Sequence, residues 1–231
     1  MSQLALPLQL ADHAVFASFH DAGNEEVVAY LCGVADGSVP AGCWLKGAPS
    51  TGKTHLLQAV CERAGDEAVY LPMQELAAAG PELIEGLDAR AVVCLDDIDT
   101  VAGDPAWERA LFVLYNDLQN AAHRLVVSAP MSPRDAGFEL QDLGSRMSQL
   151  PIYSIHALAD AERAVALQLR ARHRGLELPD ESAKYLLSRS RRDMSSLYAL
   201  LDTLDAAALR AQRRITIPFV REVLDELAER D

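Results

Sequence analysis

The run Gly47-Ala48-Pro49-Ser50-Thr51-Gly52-Lys53-Thr54 fits G-x-x-x-x-G-K-[ST], set between a strand-like segment (42–46) and an amphipathic helix beginning near Lys53. The chemistry this spacing serves is anion binding. Gly47 and Gly52 let the loop bend so that successive backbone N–H groups converge on a phosphate. The positive end of the following helix adds to that field. Lys53 can reach the β- and γ-phosphates, and the Thr54 hydroxyl can ligate Mg²⁺. The whole stretch, Gly47, Ala48, Pro49, Ser50, Thr51, Gly52, Lys53 and Thr54, is therefore a candidate site for ADP or ATP with Mg²⁺.

Further residues are placed to complete such a site. Asp96 and Asp97 close an apolar strand, V-V-C-L. An acid at that place holds Mg²⁺ through its water shell, and the next carboxylate can orient or deprotonate an attacking water. Ser128 ends the strand expected beside Asp96, where a hydroxyl could bond the γ-phosphate or the lytic water; a plain turn residue before Pro130 is the competing reading. Arg146, just ahead of the last expected strand, is either an exposed ion-pair residue or a cation that stabilises charge on a neighbour's phosphoryl group. At the N-terminus, Gln3-Leu4-Ala5-Leu6-Pro7-Leu8 is apolar where a chain end is ordinarily polar. It reads either as a strand docking on its own domain or as a peptide whose leucines anchor in a partner's pocket.

The elements that must position these groups alternate between two periodicities. Short apolar runs at 68–71, 91–95, 124–128 and 152–155 read as strands, the last three of them buried. Between them lie helical stretches. The longest, about 105–121, carries Trp107, Ala110, Leu111, Leu114 and Leu118 at helical spacing. This is an α/β pattern with a parallel sheet wrapped by helices. From Ala157 onward everything is helical: 160–173, 180–190, 193–212 and a last segment from Pro218, with Asp180, Asp193 and Thr216–Pro218 as start signals. The expected organisation is an N-terminal peptide over 1–10, an α/β nucleotide domain over 11–156 and a small helical lid over 157–231.

Composition narrows the partners. Half of the 231 residues are hydrophobic, and no stretch reaches the length of a membrane span. The first ten residues hold neither Lys nor Arg nor a small-residue cleavage site, so no secretory signal is expected. Cys32, Cys43, Cys61 and Cys94 show no C-x-x-C pairing, which suits a reducing, cytoplasmic setting. Residues 1–156 carry 8 Lys/Arg against 21 Asp/Glu, whereas residues 157–231 carry 13 of each, so the whole net charge of −13 lies in the nucleotide-binding part. Such a body repels a DNA backbone, and the Arg clusters at 189–192 and 210–214 read as solvated helix faces.

Several stretches resemble a known family. Residues 52–60 (G-K-T-H-L-L-Q-A-V), 95–98 (L-D-D-I) and the Ser145-Arg146 pair are similar to the AAA+ core of the bacterial replication initiator DnaA. The N-terminal Q-L-A-L-P-L, the stretch W-E-R-A-L-F-V-L-Y-N (107–116) and I-T-I-P-F-V-R-E-V-L (215–224) resemble the DnaA-related regulatory inactivators, the Hda family. The chain also ends where the initiator continues into a DNA-binding domain, so no sequence-specific DNA binding is expected.

The resemblance implies an AAA+ fold and a negative regulator of replication initiation. In such a protein Gln3, Leu4, Leu6, Pro7 and Leu8 bind the DNA polymerase III sliding clamp (β subunit), and Arg146 acts in trans as an arginine finger on ATP held by DnaA. The P-loop with His55, together with Thr54, Asp96 and Mg²⁺, would hold ADP or ATP. A homo-oligomer is a further option. One departure stands out: the family places an arginine on the third lid helix against the phosphates, whereas the alignment of 192–197 puts Ser195 there, which implies weak ATPase activity of the chain's own. The alternatives are an autonomous AAA+ ATPase such as a helicase loader, which would depend on Asp97 and ignore the N-terminal peptide, and a small-molecule kinase, which would need a lid rich in catalytic arginine.

Overall fold

The computed structural model describes residues 14–189 and 193–228. These fall into two compact units. The first runs from Asn24 to His156 with the few described residues before Ala17; the second joins Ala17–Gly23 to the chain from Ala157 onward. The membership of 17–23 is a tertiary effect, since the His173 ring nitrogen Nε2 lies 2.9 Å from the Ala17 carbonyl.

In chain order the first unit contains α1 (Glu25–Ala35), β1 (Cys43–Lys46), α2 (Lys53–Ala64), β2 (Ala68–Pro72), α3 (Met73–Leu76), β3 (Val92–Asp96), α4 (Pro105–Asn120), β4 (Arg124–Ala129), α5 (Gln141–Met147) and β5 (Ile152–Ser154). The five strands form one parallel sheet in the order β2-β3-β4-β1-β5. β3 is buried at every position, and β4 at every position after Arg124, as continuous apolar runs in a doubly covered sheet require. Cys94 is fully buried there and packs as a small hydrophobe. On one face Trp44, Val93, Leu95, Leu125 and Val127 meet Trp107, Leu111, Leu114 and Leu118 of α4 and Leu143 and Met147 of α5. On the other, α2 packs against β3 and β4.

Two elements differ from the sequence reading. The run at 152–155 is not another buried strand: β5 is a three-residue edge strand, and Ile152 is 47% exposed because only β1 flanks it. The residues around Arg146, for which the sequence reading gave no element, form a short helix, α5.

The second unit contains α6 (Asp160–His173), α7 (Asp180–Arg189), α8 (Met194–Ala211) and α9 (Ile217–Ala228). Its start signals are local chemistry. Glu162 accepts from Ala159 N at 2.8 Å, and Asp193 caps α8 by accepting from Ser196 N at 2.8 Å. Its own core joins Leu167, Leu186, Leu197, Leu201, Leu204, Phe219 and Val220. Among the described residues no helix is long and apolar enough to cross a membrane.

Candidate nucleotide site

Strand order brings the candidate residues to one edge. β1 runs into the loop 47–52 and then α2, while Asp96 ends β3. β4 lies between these strands, so their ends stand about 10 Å apart with Ser128 in the gap. The loop needs its glycines for different reasons. Gly52 caps α2 at φ 101°, a conformation an L side chain resists. A Cβ at Gly47 would come within 2.7 Å of Thr51 Oγ1 and 3.1 Å of the Ile155 carbonyl, so the backbone there must stay bare. Ser50 also sits at positive φ, 61°. Thr51 closes the loop on itself by donating to Ala48 O at 2.9 Å.

The ammonium of Lys53 is turned into this loop, donating to Gly47 O at 2.8 Å and Ala48 O at 3.1 Å, and the residue is buried. Pro49 and Thr54 are exposed, Thr54 in the first turn of α2, where helix N–H groups have no intrahelical acceptor. His55 follows in the same turn, and its ring nitrogen Nε2 lies 2.9 Å from the Val15 carbonyl, so this side chain ties α2 to the segment before it.

Asp96 and Ser128 are both buried. Ser128 Oγ donates to Asp96 Oδ1 and accepts from Asp97 N at 2.9 Å, so one hydroxyl locks both acidic positions. The second oxygen of Asp96 accepts from Tyr70 OH at 2.9 Å, and Asp97 Oδ2 accepts from Gln74 Nε2 at 2.8 Å. Tyr70 and Gln74 were not legible as site residues, because their partners lie more than twenty positions away along the chain. Burial, then the neighbouring Asp96, raises the Asp97 carboxyl above its ordinary range; Lys53 opposes this. Burial, then Asp96, likewise pushes the Tyr70 phenol far up, leaving it a pure donor. The geometry fits an anion with a divalent cation: bare backbone at the loop, one ammonium, a helix N-terminus, and a carboxylate held at the facing strand end.

Arg146 is not part of this constellation. It is exposed in the last turn of α5, and among the described residues no hydrogen bond or ion pair holds its guanidinium. Ser195 is the second residue of α8. Gln3, Leu4, Leu6, Pro7 and Leu8 lie outside the described residues, as do Arg191 and Arg192. Trp107 is core: it is buried, and its Nε1 donates to Ala77 O at 3.1 Å.

Residues 160–224, from α6 into α9, match a family described as the lid domain of Hda. The chain has the AAA+ fold seen in DnaA domain III, and its residues 160–224 are similar to the Hda lid domain. Domain III of the replication initiation protein DnaA from Thermotoga maritima superposes with a TM-score of 0.78 at 17% identity, over 94% of this chain and 98% of that one. AMPPCP-bound DnaA from Aquifex aeolicus gives 0.68 at 20% identity, covering 85% of this chain and 66% of that chain. The Thermotoga maritima Holliday junction branch migration motor RuvB gives 0.60 at 20% identity over 92% of this chain and 73% of that one. At these identities the likeness is one of fold.

Proposed function

We propose that this chain is a DnaA-related negative regulator of replication initiation that binds ADP or ATP with Mg²⁺ and stimulates hydrolysis of ATP held by DnaA. The observation that carries this reading is the Hda lid over 160–224 on a DnaA-type AAA+ fold. Nucleotide binding draws support from the P-loop geometry and from the AMPPCP bound by the similar Aquifex DnaA. Gly47 to Gly52 cradle the phosphates, Lys53 exchanges two carbonyls for them, and Thr54 and Asp96 hold the metal. Bound Mg²⁺ supplies charge neutralisation between the phosphates. Asp97 orients water only when released from Gln74, which suits weak turnover by the chain itself.

Arg146 acts outside its own chain. Among the described residues no hydrogen bond or ion pair holds its guanidinium, and a cation delivered to another subunit's γ-phosphoryl group stabilises the charge that develops there. Gln3, Leu4, Leu6, Pro7 and Leu8 are assigned to the sliding clamp, which raises the local concentration of the regulator near loaded DNA.

The test is hydrolysis of ATP on purified DnaA with DNA-loaded clamp and this chain, wild type beside the Gln3→Ala, Leu4→Ala double variant. The expected result is strong, clamp-dependent stimulation by wild type that the double variant loses. No stimulation by folded, nucleotide-bound wild type overturns the proposal and favours an autonomous ATPase.

A further inference from the structure

The helix that carries Arg146 cannot fix its own position. α5 is seven residues long, contains Gly144, and has Leu140 at its N-cap with no side-chain capping bond. Helices this short are unstable in isolation. Leu143 and Met147, one turn apart, are buried and bind one face to the core, but apolar packing is non-directional and supplies no polar anchor for the start of the helix.

What supplies that anchor is a buried carboxylate on another element. Glu108 of α4 is 1% exposed and pairs with no cation among the described residues. Its Oε1 accepts from Gly103 N at 2.7 Å and from Glu139 N at 3.0 Å, and its Oε2 accepts from Leu140 N at 2.6 Å. The two last amides are the backbone leading directly into α5. Burying a carboxylate without a counter-cation is costly unless amides satisfy it, and here three do. The segment before it is also tethered to the sheet: Trp44 Nε1 donates to Met131 O at 2.8 Å, and the Trp44 ring meets Phe138 edge-on with centroids 6.3 Å apart. The backbone from 131 to 140 is thus held at both ends, with Glu108 gripping the end next to the helix.

We infer that Glu108 is the positioning residue for Arg146: its carboxylate, reaching from α4, fixes the start of α5 and thereby the point from which the guanidinium projects. This inference rests on the proposed role of Arg146. A finger works only at near-contact geometry, where a misplacement of about 1 Å costs on the order of 10²-fold in rate. Glu108 is buried and its carboxylate is taken up by backbone amides, so on this inference its loss alters the chemistry of stimulation and leaves binding alone.

The experiment measures clamp-dependent stimulation of ATP hydrolysis on DnaA as a function of regulator concentration, together with nucleotide affinity. It compares Glu108→Gln, Glu108→Asp and Arg146→Ala with wild type. Gln keeps the shape but turns an NH₂ toward a donor; Asp keeps the charge but is one methylene too short to span both amides. The expected result is a maximal stimulated rate reduced about 10²-fold in the Glu108 variants, with half-saturating concentration and nucleotide affinity unchanged. Maximal rates equal to wild type, while Arg146→Ala abolishes stimulation, overturn the inference and leave the proposed function standing. Loss of nucleotide affinity in parallel also overturns it, because Glu108 would then serve the whole unit. Full stimulation by Arg146→Ala overturns the proposed function, and the inference with it.

Discussion

At the P-loop corner each charged group already has a partner within the chain: Lys53 on two loop carbonyls, Asp96 on Ser128 and Tyr70, Asp97 on Gln74. At α5 the opposite holds, since no hydrogen bond or ion pair among the described residues holds the exposed Arg146 guanidinium, while the backbone leading into its helix is pinned by Glu108. The first region has the make-up of a receptacle, its charged groups held in place by bonds within the chain. On the proposed function the second is a delivery device, with its scaffold satisfied and its tip exposed. On that proposal, the same unit holds nucleotide with one set of residues and supplies a cation with another.

The contrast breaks first at Lys53. Lys53→Ala is expected to weaken ADP or ATP binding about 10- to 100-fold, the cost of one charge-assisted contact to phosphate, with Arg146→Ala unchanged in the same titration. A Lys53 variant that binds nucleotide normally would remove the receptacle. Next comes the lock between the two acids. Ser128→Ala leaves Asp97 N without an acceptor and Asp96 Oδ1 without a donor at a fully buried position, so denaturant unfolding should report a loss of about 1–3 kcal/mol.

A smaller effect sharpens the receptacle's electrostatics. Burial and then Asp96 raise the Asp97 carboxyl, so the folded chain favours the protonated form. Its contribution to stability is present below the unfolded value and lost as pH rises through the folded one; at neutral pH the ionised group is a net cost. Asp97→Asn should therefore raise Tm by about 2 °C at pH 7, a gain that vanishes as pH falls through the carboxylate range. Smallest of all, Arg146→Ala should shift stability by no more than about 0.5 kcal/mol, as befits an exposed side chain without partners; a larger loss would mean Arg146 belongs to its own fold.

The P-loop corner was largely legible in the sequence, and Arg146 was named there, but the helix that carries it and its anchor were not, for a physical reason. The P-loop, the buried strands and Asp96 announce themselves through local spacing and apolar runs, and the structure brings Gly47 to Thr54, Asp96, Asp97 and Ser128 to one sheet edge. The α5 helix has no capping side chain of its own and contains Gly144, so no local signal marks its start; its cap arrives from Glu108, more than thirty positions earlier. Tyr70 and Gln74 escaped for the same reason, being polar partners set by strand adjacency rather than by spacing. Residues 17–23 joined the helical unit through a tertiary contact that composition does not encode.

The most direct measurement is single-turnover hydrolysis of labelled ATP on DnaA, with DNA-loaded clamp and either wild-type chain or Arg146→Ala at equal nucleotide occupancy. The account expects the stimulated rate to fall at least about 10³-fold in the variant, the usual worth of an arginine finger, with clamp association and nucleotide binding intact. Stimulation by Arg146→Ala at the wild-type rate would contradict it.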